Sequence, residues 1–194
     1  MAATPQLPLF PLHTVLFPDG PLPLRIFEAR YIDLVRCCLR DRTPFGVVQI
    51  RAGDEAGEVL QTAEVGTSAR IVDFCRLPDG LLGITCHGEQ RFRLLSRTRA
   101  RDGLNVGAIE WFPPEQAIPV PGAYRHFVEL LRAALPRFGE LYAAIPRRYD
   151  DAAWVGARVA EILPISLADK QACLELDGLA RLARLAPLIQ RVEE

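Results

Sequence analysis

Ser166 and Lys170 stand four residues apart in a segment of helical apolar spacing, which would put both on one helix face. A serine beside a neutral lysine is a working nucleophile and base. The same residues also read as the start of a helix: in Ser166-Leu167-Ala168-Asp169 the serine caps backbone N–H groups and the aspartate meets the positive helix end. The cap is the better-supported reading, because an exposed lysine keeps its proton and a dyad needs it neutral. Lys170 is the chain's only lysine and follows Asp169, so no G-x-x-x-x-G-K-[ST] phosphate loop exists. His13, His87 and His126 lie far apart. Cys86 and His87 are adjacent, on opposite faces of an expected strand, so no metal set is expected. With no G-x-G-x-x-G motif either, the expectation is a chain without cofactor, metal or catalytic residues, and not an enzyme.

The elements that would position any site fall into two regions. From Leu7 to Phe112, short apolar or alternating runs separated by turn residues indicate a mostly β region. One helix is expected in it, from about Ala29 to Leu39, on the spacing of Ile32, Val35 and Leu39. Phe45 to Arg51 reads as a strand, and Ala52 to Ala63, with Gly53 and Gly57 among acids, as an exposed loop. The clearest local signal is RLPDGLL at 76–82, a hairpin turn in which Pro78 presets the first position, Asp79 tolerates the second and Gly80 takes positive φ. Counting outward from that turn sets Cys75 opposite 82 or 83 and Cys86 opposite 71 or 72, too far apart for a disulfide.

Pro113, Pro114, Pro119 and Pro121 then form a stiff connector, beyond which alternation gives way to helical spacing. A domain boundary is placed there, with a β domain over 1–115 and a helical domain over 116–194. Helices are expected at Ala123–Leu135, Ala152–Leu163, Leu167–Leu176 and Leu179 to about Leu185. In the last, Leu179, Leu182, Leu185 and Ile189 form one stripe, and Pro187 is expected to end or kink the helix.

Composition narrows the function classes. The 194 residues are 49% hydrophobic, enough to bury a core unaided, and the net charge is −1. Thirteen arginines face 14 acids up to Glu115 and ten bases face ten acids after it, so neither half is a basic nucleic-acid domain in bulk. Five cysteines without C-x-x-C spacing, no secretory leader and no apolar run of membrane-spanning length point to a cytoplasmic protein with no membrane contact.

LPLFPLHTVLFPDGPLPLRIFEARY at 7–31 resembles the opening signature of the Lon protease N-terminal domain family, with Phe27, Glu28, Arg30 and Tyr31 in its IFE-x-RY junction. EVGTSARIVDFCRLPDGLLGITCHGEQRFRLL at 64–95 resembles the second signature, carrying Gly66, the turn Pro78-Asp79-Gly80, and Gly88, Arg91 and Phe92 of G-x-x-RF. The helical stretch 154–185 is similar to the bundle that follows in that family. The resemblance implies an α+β protein, a PUA-like β pseudo-barrel followed by a helical bundle, whose role is recognition of protein or unfolded peptide segments. It implies further an adaptor for a separate protease, because the ATPase and peptidase parts of Lon have no counterpart in the sequence. The motif residues are expected to be structural, with Arg91 paired to Glu28 or Glu64 and with Phe27 and Tyr31 packing in core and rim.

Two binding surfaces are expected. Leu16, Phe17 and Leu22, read as apolar residues in irregular segments, would form a peptide surface together with the edges of the pseudo-barrel, where an extended peptide can add as a strand. Arg91, Arg93, Arg97, Arg99 and Arg101 occupy odd positions, so an unbroken strand would project them from one face. That stripe is either a solvated face or an anion-binding surface, and RNA is the alternative partner because PUA-like folds also occur in RNA-binding proteins.

Overall fold

A computed structural model describes residues 4–55 and 59–193. Its N-terminal part carries the strands β1 (Gln6–Leu12), β2 (Pro21–Ile26), β3 (Phe45–Gly53), β4 (Val59–Thr62), β5 (Val65–Arg76), β6 (Leu82–Arg99) and β7 (Asn105–Trp111), with helix α1 (Ala29–Asp41) between β2 and β3. β1 lies parallel to β3 and antiparallel to β7, and β7, β6, β5 and β3 follow as antiparallel neighbours, so the pairings close into a ring. Inside it Leu7, Leu9, Val48, Phe92 and Ile109 form a small core, and α1 seals a second one built on Phe10, Phe45 and Ile84.

The turn Pro78-Asp79-Gly80 joins β5 to β6, with Gly80 at φ +85° and the Asp79 carboxylate accepting from the Leu81 N–H at 3.1 Å. Cys75 therefore faces Gly83 and Cys86 faces Ile71, as pair counting requires. The expected exposed loop contains a short strand, β4, which pairs with β3; residues 56–58 of it lie outside the described residues. α1 buries Tyr31, Leu34, Val35 and Cys38, whereas Leu39 of the expected stripe is exposed. The stripe is rotated because Tyr31 stacks on Phe10 with ring centroids 3.8 Å apart, a contact that turns the helix toward its aromatic edge.

Two signature glycines are required by close approach. A Cβ on Gly88 would stand 2.2 Å from the Phe17 carbonyl oxygen, and one on Gly66 would stand 2.4 Å from that of Val47. The segment 17–20 is laid against Gly88 by two backbone hydrogen bonds, Asp19 N–H to the Gly88 carbonyl at 2.8 Å and Gly88 N–H to that of Gly20 at 2.9 Å.

After the connector come α2 (Arg125–Ala134), α3 (Glu140–Ala143), α4 (Ala152–Ile162), α5 (Leu167–Glu175) and α6 (Gly178–Glu193). α6 continues through Pro187 to Glu193, because Leu182, Leu185 and Ile189 are buried on both sides of the proline and hold the helix against α4 despite the missing N–H. The helices do not swing free. Val15, Phe17 and Val65 of the β part lie in one apolar core with Phe127, Trp154, Val155, Leu182 and Leu185.

All five thiols are free, and only Cys37 and Cys75 are exposed. Burial pushes the Cys38 thiol up to about 11 and the Cys86 thiol up to about 12, so neither supplies thiolate at neutral pH. A colorimetric thiol titration of the native protein should read two fast groups, rising to five in denaturant. Five fast groups without denaturant would contradict this packing.

Candidate recognition site

The far half of β6 carries β2 on one side and the far half of β5 on the other, and these three strands project from the ring as an arm. β5 pairs with β3 only through Thr67–Ala69, so from Arg70 to Arg76 its outer edge has no strand partner among the described residues. An antiparallel row of side chains runs Leu24, Ile84, Phe74 across the arm. Ile84 is 3% exposed and Phe74 is 61% exposed, so the apolar row is open to solvent where it ends on the edge strand. Val72, at a bulge in the same edge, is 48% exposed. Beside them is a shallow depression of about 350 Å³ walled by Leu24, Phe74, Leu77 and Ile84. An open edge offers backbone donors and acceptors, and the row offers apolar contact in register with them.

The expected peptide surface at Leu16, Phe17 and Leu22 is not there. Leu16 and Phe17 are 3% and 0% exposed, Phe17 because it is the contact between the ring and the helices, and Leu22 is half-buried against the α1 core. The expected sheet edge is found at β5, and its residues Val72 and Phe74 went unremarked in the sequence. Phe27, expected in core or rim, is 60% exposed, while Tyr31 is buried.

The arginine stripe is broken by a bulge in the β6–β7 pairing between Leu94 and Ser96, and Arg101 lies in the turn beyond the strand. Arg97 is turned inward, donating to the Asn105 side chain at 2.8 Å and to the Val59 carbonyl at 2.7 Å. Arg93 stands 5.4 Å from the Phe112 ring, and Arg99 donates to the Gly103 carbonyl at 3.4 Å. Arg30 bonds the Gly103 carbonyl at 3.0 Å and pairs with Glu28 at 2.8 Å, tying the IFE-x-RY junction to a distant loop.

Arg91 pairs with neither Glu28 nor Glu64. Its partner is Glu115, at 3.0 Å, which also takes the fully buried Arg181 at 2.7 Å. The two guanidinium groups also bond the end of α5: Arg91 donates to the Leu174 and Leu176 carbonyls, and Arg181 to those of Cys173 and Leu176 and, on α4, to that of Ala153. Positive charge thus meets the negative helix terminus, and carbonyls without helical partners are satisfied.

Ser166 is the N-cap of α5, accepting from the Asp169 N–H at 3.1 Å and donating to its carboxylate at 2.7 Å. Lys170 is half-buried rather than exposed, and burial holds its pKa below the ordinary lysine value. Its ammonium is committed to the Glu161 carbonyl at 2.8 Å. Serine and lysine are therefore each engaged with other groups.

Over residues 6–191 the chain matches the family described as the substrate-binding domain of ATP-dependent protease La (LON). It is similar to a Lon N-terminal domain protein from Xanthomonas campestris of known crystal structure, at 36% identity and a TM-score of 0.77, with 93% of this chain and 96% of that one covered. The N-terminal domain of a Mycobacterium avium complex Lon protease has the same fold, at a TM-score of 0.66 and 16% identity, again over 93% of this chain and 96% of that one. Lon protease 2 of Myxococcus xanthus is 29% identical over 97% of this chain, which spans 24% of that protein's length.

Proposed function

Because the chain belongs to the substrate-binding domain family of ATP-dependent protease La (LON), we propose that it recognises unfolded protein segments by adding them as a strand to the open β5 edge. The observation that carries this is the apolar row ending at Phe74 on an edge without a strand partner among the described residues. A segment laid along Arg70–Arg76 would satisfy that backbone and cover Val72 and Phe74, giving affinity for extended chains and none for folded ones, whose backbone is already paired. We read the closed ring as PUA-like and the helices as the bundle that props it, with 115 the architectural division between them. Recognition proceeds without chemistry of its own, since Ser166 and Lys170 are engaged elsewhere. The five free thiols support a cytoplasmic setting, and the relatives' identity as Lon proteases supports a role in presenting clients to a separate protease.

The test is binding of a permanently unfolded, carboxymethylated reporter protein by the full chain. Phe74→Ser should weaken it about tenfold or more, as loss of a central aromatic contact does. The urea midpoint should hardly move, because Phe74 is mostly exposed. Unchanged binding by Phe74→Ser, or recovery from cells of RNA with no protein, overturns the proposal.

A further inference from the structure

A second concavity, distinct from the arm, lies where the ring, the proline connector and α4 meet. It is a cleft of about 570 Å³, and both tryptophans of the chain, Trp111 and Trp154, line it. Pro18 and Pro44 from the β part and Pro113 and Pro114 from the connector complete its apolar wall. This wall is stiff. Proline rings have almost no side-chain freedom to lose, Trp111 is held edge-on to Phe92 at 6.1 Å, and Trp154 is held edge-on to Tyr149 at 5.3 Å.

Most of the charged groups around the cleft are paired with one another. Asp19 pairs with Arg148, Glu89 with Arg70, and Glu115 with both Arg91 and Arg181, while Asp151 caps the Ala153 N–H at 3.0 Å. Counted with Arg70, the four acids and three arginines of the lining carry no net charge. One polar group is left over: Trp154 is 2% exposed, and its indole N–H has no acceptor among the described residues. A buried donor without a partner costs free energy that a ligand carbonyl would return.

From this we infer that the cleft binds a proline-containing peptide segment in the polyproline II conformation. Three properties of such a segment fit the wall. It is uncharged, as suits a site whose charges sum to zero. Its flat rings stack on the partly exposed Trp111 and on proline faces, the way aromatic-lined grooves take proline-rich chains. It also presents carbonyl acceptors, one of them for Trp154, without bringing backbone N–H donors into a place whose carboxylates are engaged.

Both tryptophans lie in the wall, so their own emission reports occupancy. Titrating the full chain with an acetylated, amidated decaproline should give a saturable change in tryptophan fluorescence, and a glycine–serine peptide of equal length should give none. Trp111→Ala, at a partly exposed position, should weaken binding about tenfold or more. Trp154→Phe keeps an aromatic ring and removes the donor, and should weaken it about three- to tenfold, with a urea midpoint confirming that the fold persists. Phe74→Ser should bind decaproline as the unaltered chain does, which separates this cleft from the arm. No saturable change, an equal response to the glycine–serine peptide, unaltered affinity in both tryptophan variants, or loss of binding in Phe74→Ser would each overturn the inference.

Discussion

Replacing Glu115 by alanine is expected to cost about 3–5 kcal/mol of folding stability, the range seen when one member of a buried ion pair is removed. The size follows from what remains behind. Arg91 and Arg181 have side chains 10% and 1% exposed, and Glu115 is the acid both of them contact. Without it two guanidinium groups face each other with little water to screen them. They cannot retreat, because their other N–H bonds hold the carbonyl end of α5 and the Ala153 carbonyl of α4. Urea denaturation should show a lower midpoint with an unchanged slope if the whole chain still unfolds in one step. A broadened or double transition would mean that the helices had come away from the ring first. Asp33→Ala, which breaks an ion pair whose side chains are 67% and 75% exposed, should leave the midpoint nearly where it is. A Glu115 variant that behaved like Asp33→Ala would refute the view that this carboxylate joins the two halves.

That junction also marks where sequence reading succeeds and where it stops. Turn chemistry is local, so Pro78-Asp79-Gly80 was legible, and with it the register that sets Cys75 opposite Gly83. The proline connector was legible for the same reason, as was a helix beginning at Ala29. What failed depends on contacts between residues distant in the chain. Arg91 bonds Leu174, 83 residues away, and no spacing rule near Arg91 announces it. The even projection of the arginines assumed an unbroken strand, and one bulge after Leu94 was enough to scatter them. Phe74 was missed because alternation along a strand says which residues share a face, and the face becomes open or closed only when the neighbouring strands are counted. The signal that could have found it is modest: Val72 and Phe74 lie beside a surface turn, in a strand whose second neighbour the sequence does not provide.

Phe17→Ala should be among the most damaging single truncations on the β side, at about 3–5 kcal/mol for loss of a fully buried aromatic ring. Phe17 is an apolar residue in an irregular segment, and such residues are ordinarily candidates for a partner surface. Here the partner is internal. The ring sits 0% exposed in the core that also holds Trp154, Leu182 and Leu185, and the Arg181 guanidinium lies 5.9 Å from its centre. Its backbone cannot move to fill the gap, since its carbonyl accepts from the Gly20 N–H at 2.9 Å and lies against the space that Gly88 leaves open. The cavity would therefore persist, which places the cost toward the upper part of the range. Phe17→Ala and Phe74→Ser thus form a pair with opposite signatures. The first should lower the urea midpoint and leave reporter binding intact at temperatures where the protein is folded; the second should do the reverse. Should Phe17→Ala weaken binding while the midpoint holds, the segment at 15–17 would be a contact surface after all, and the division of labour between the helix junction and the β5 edge would fail.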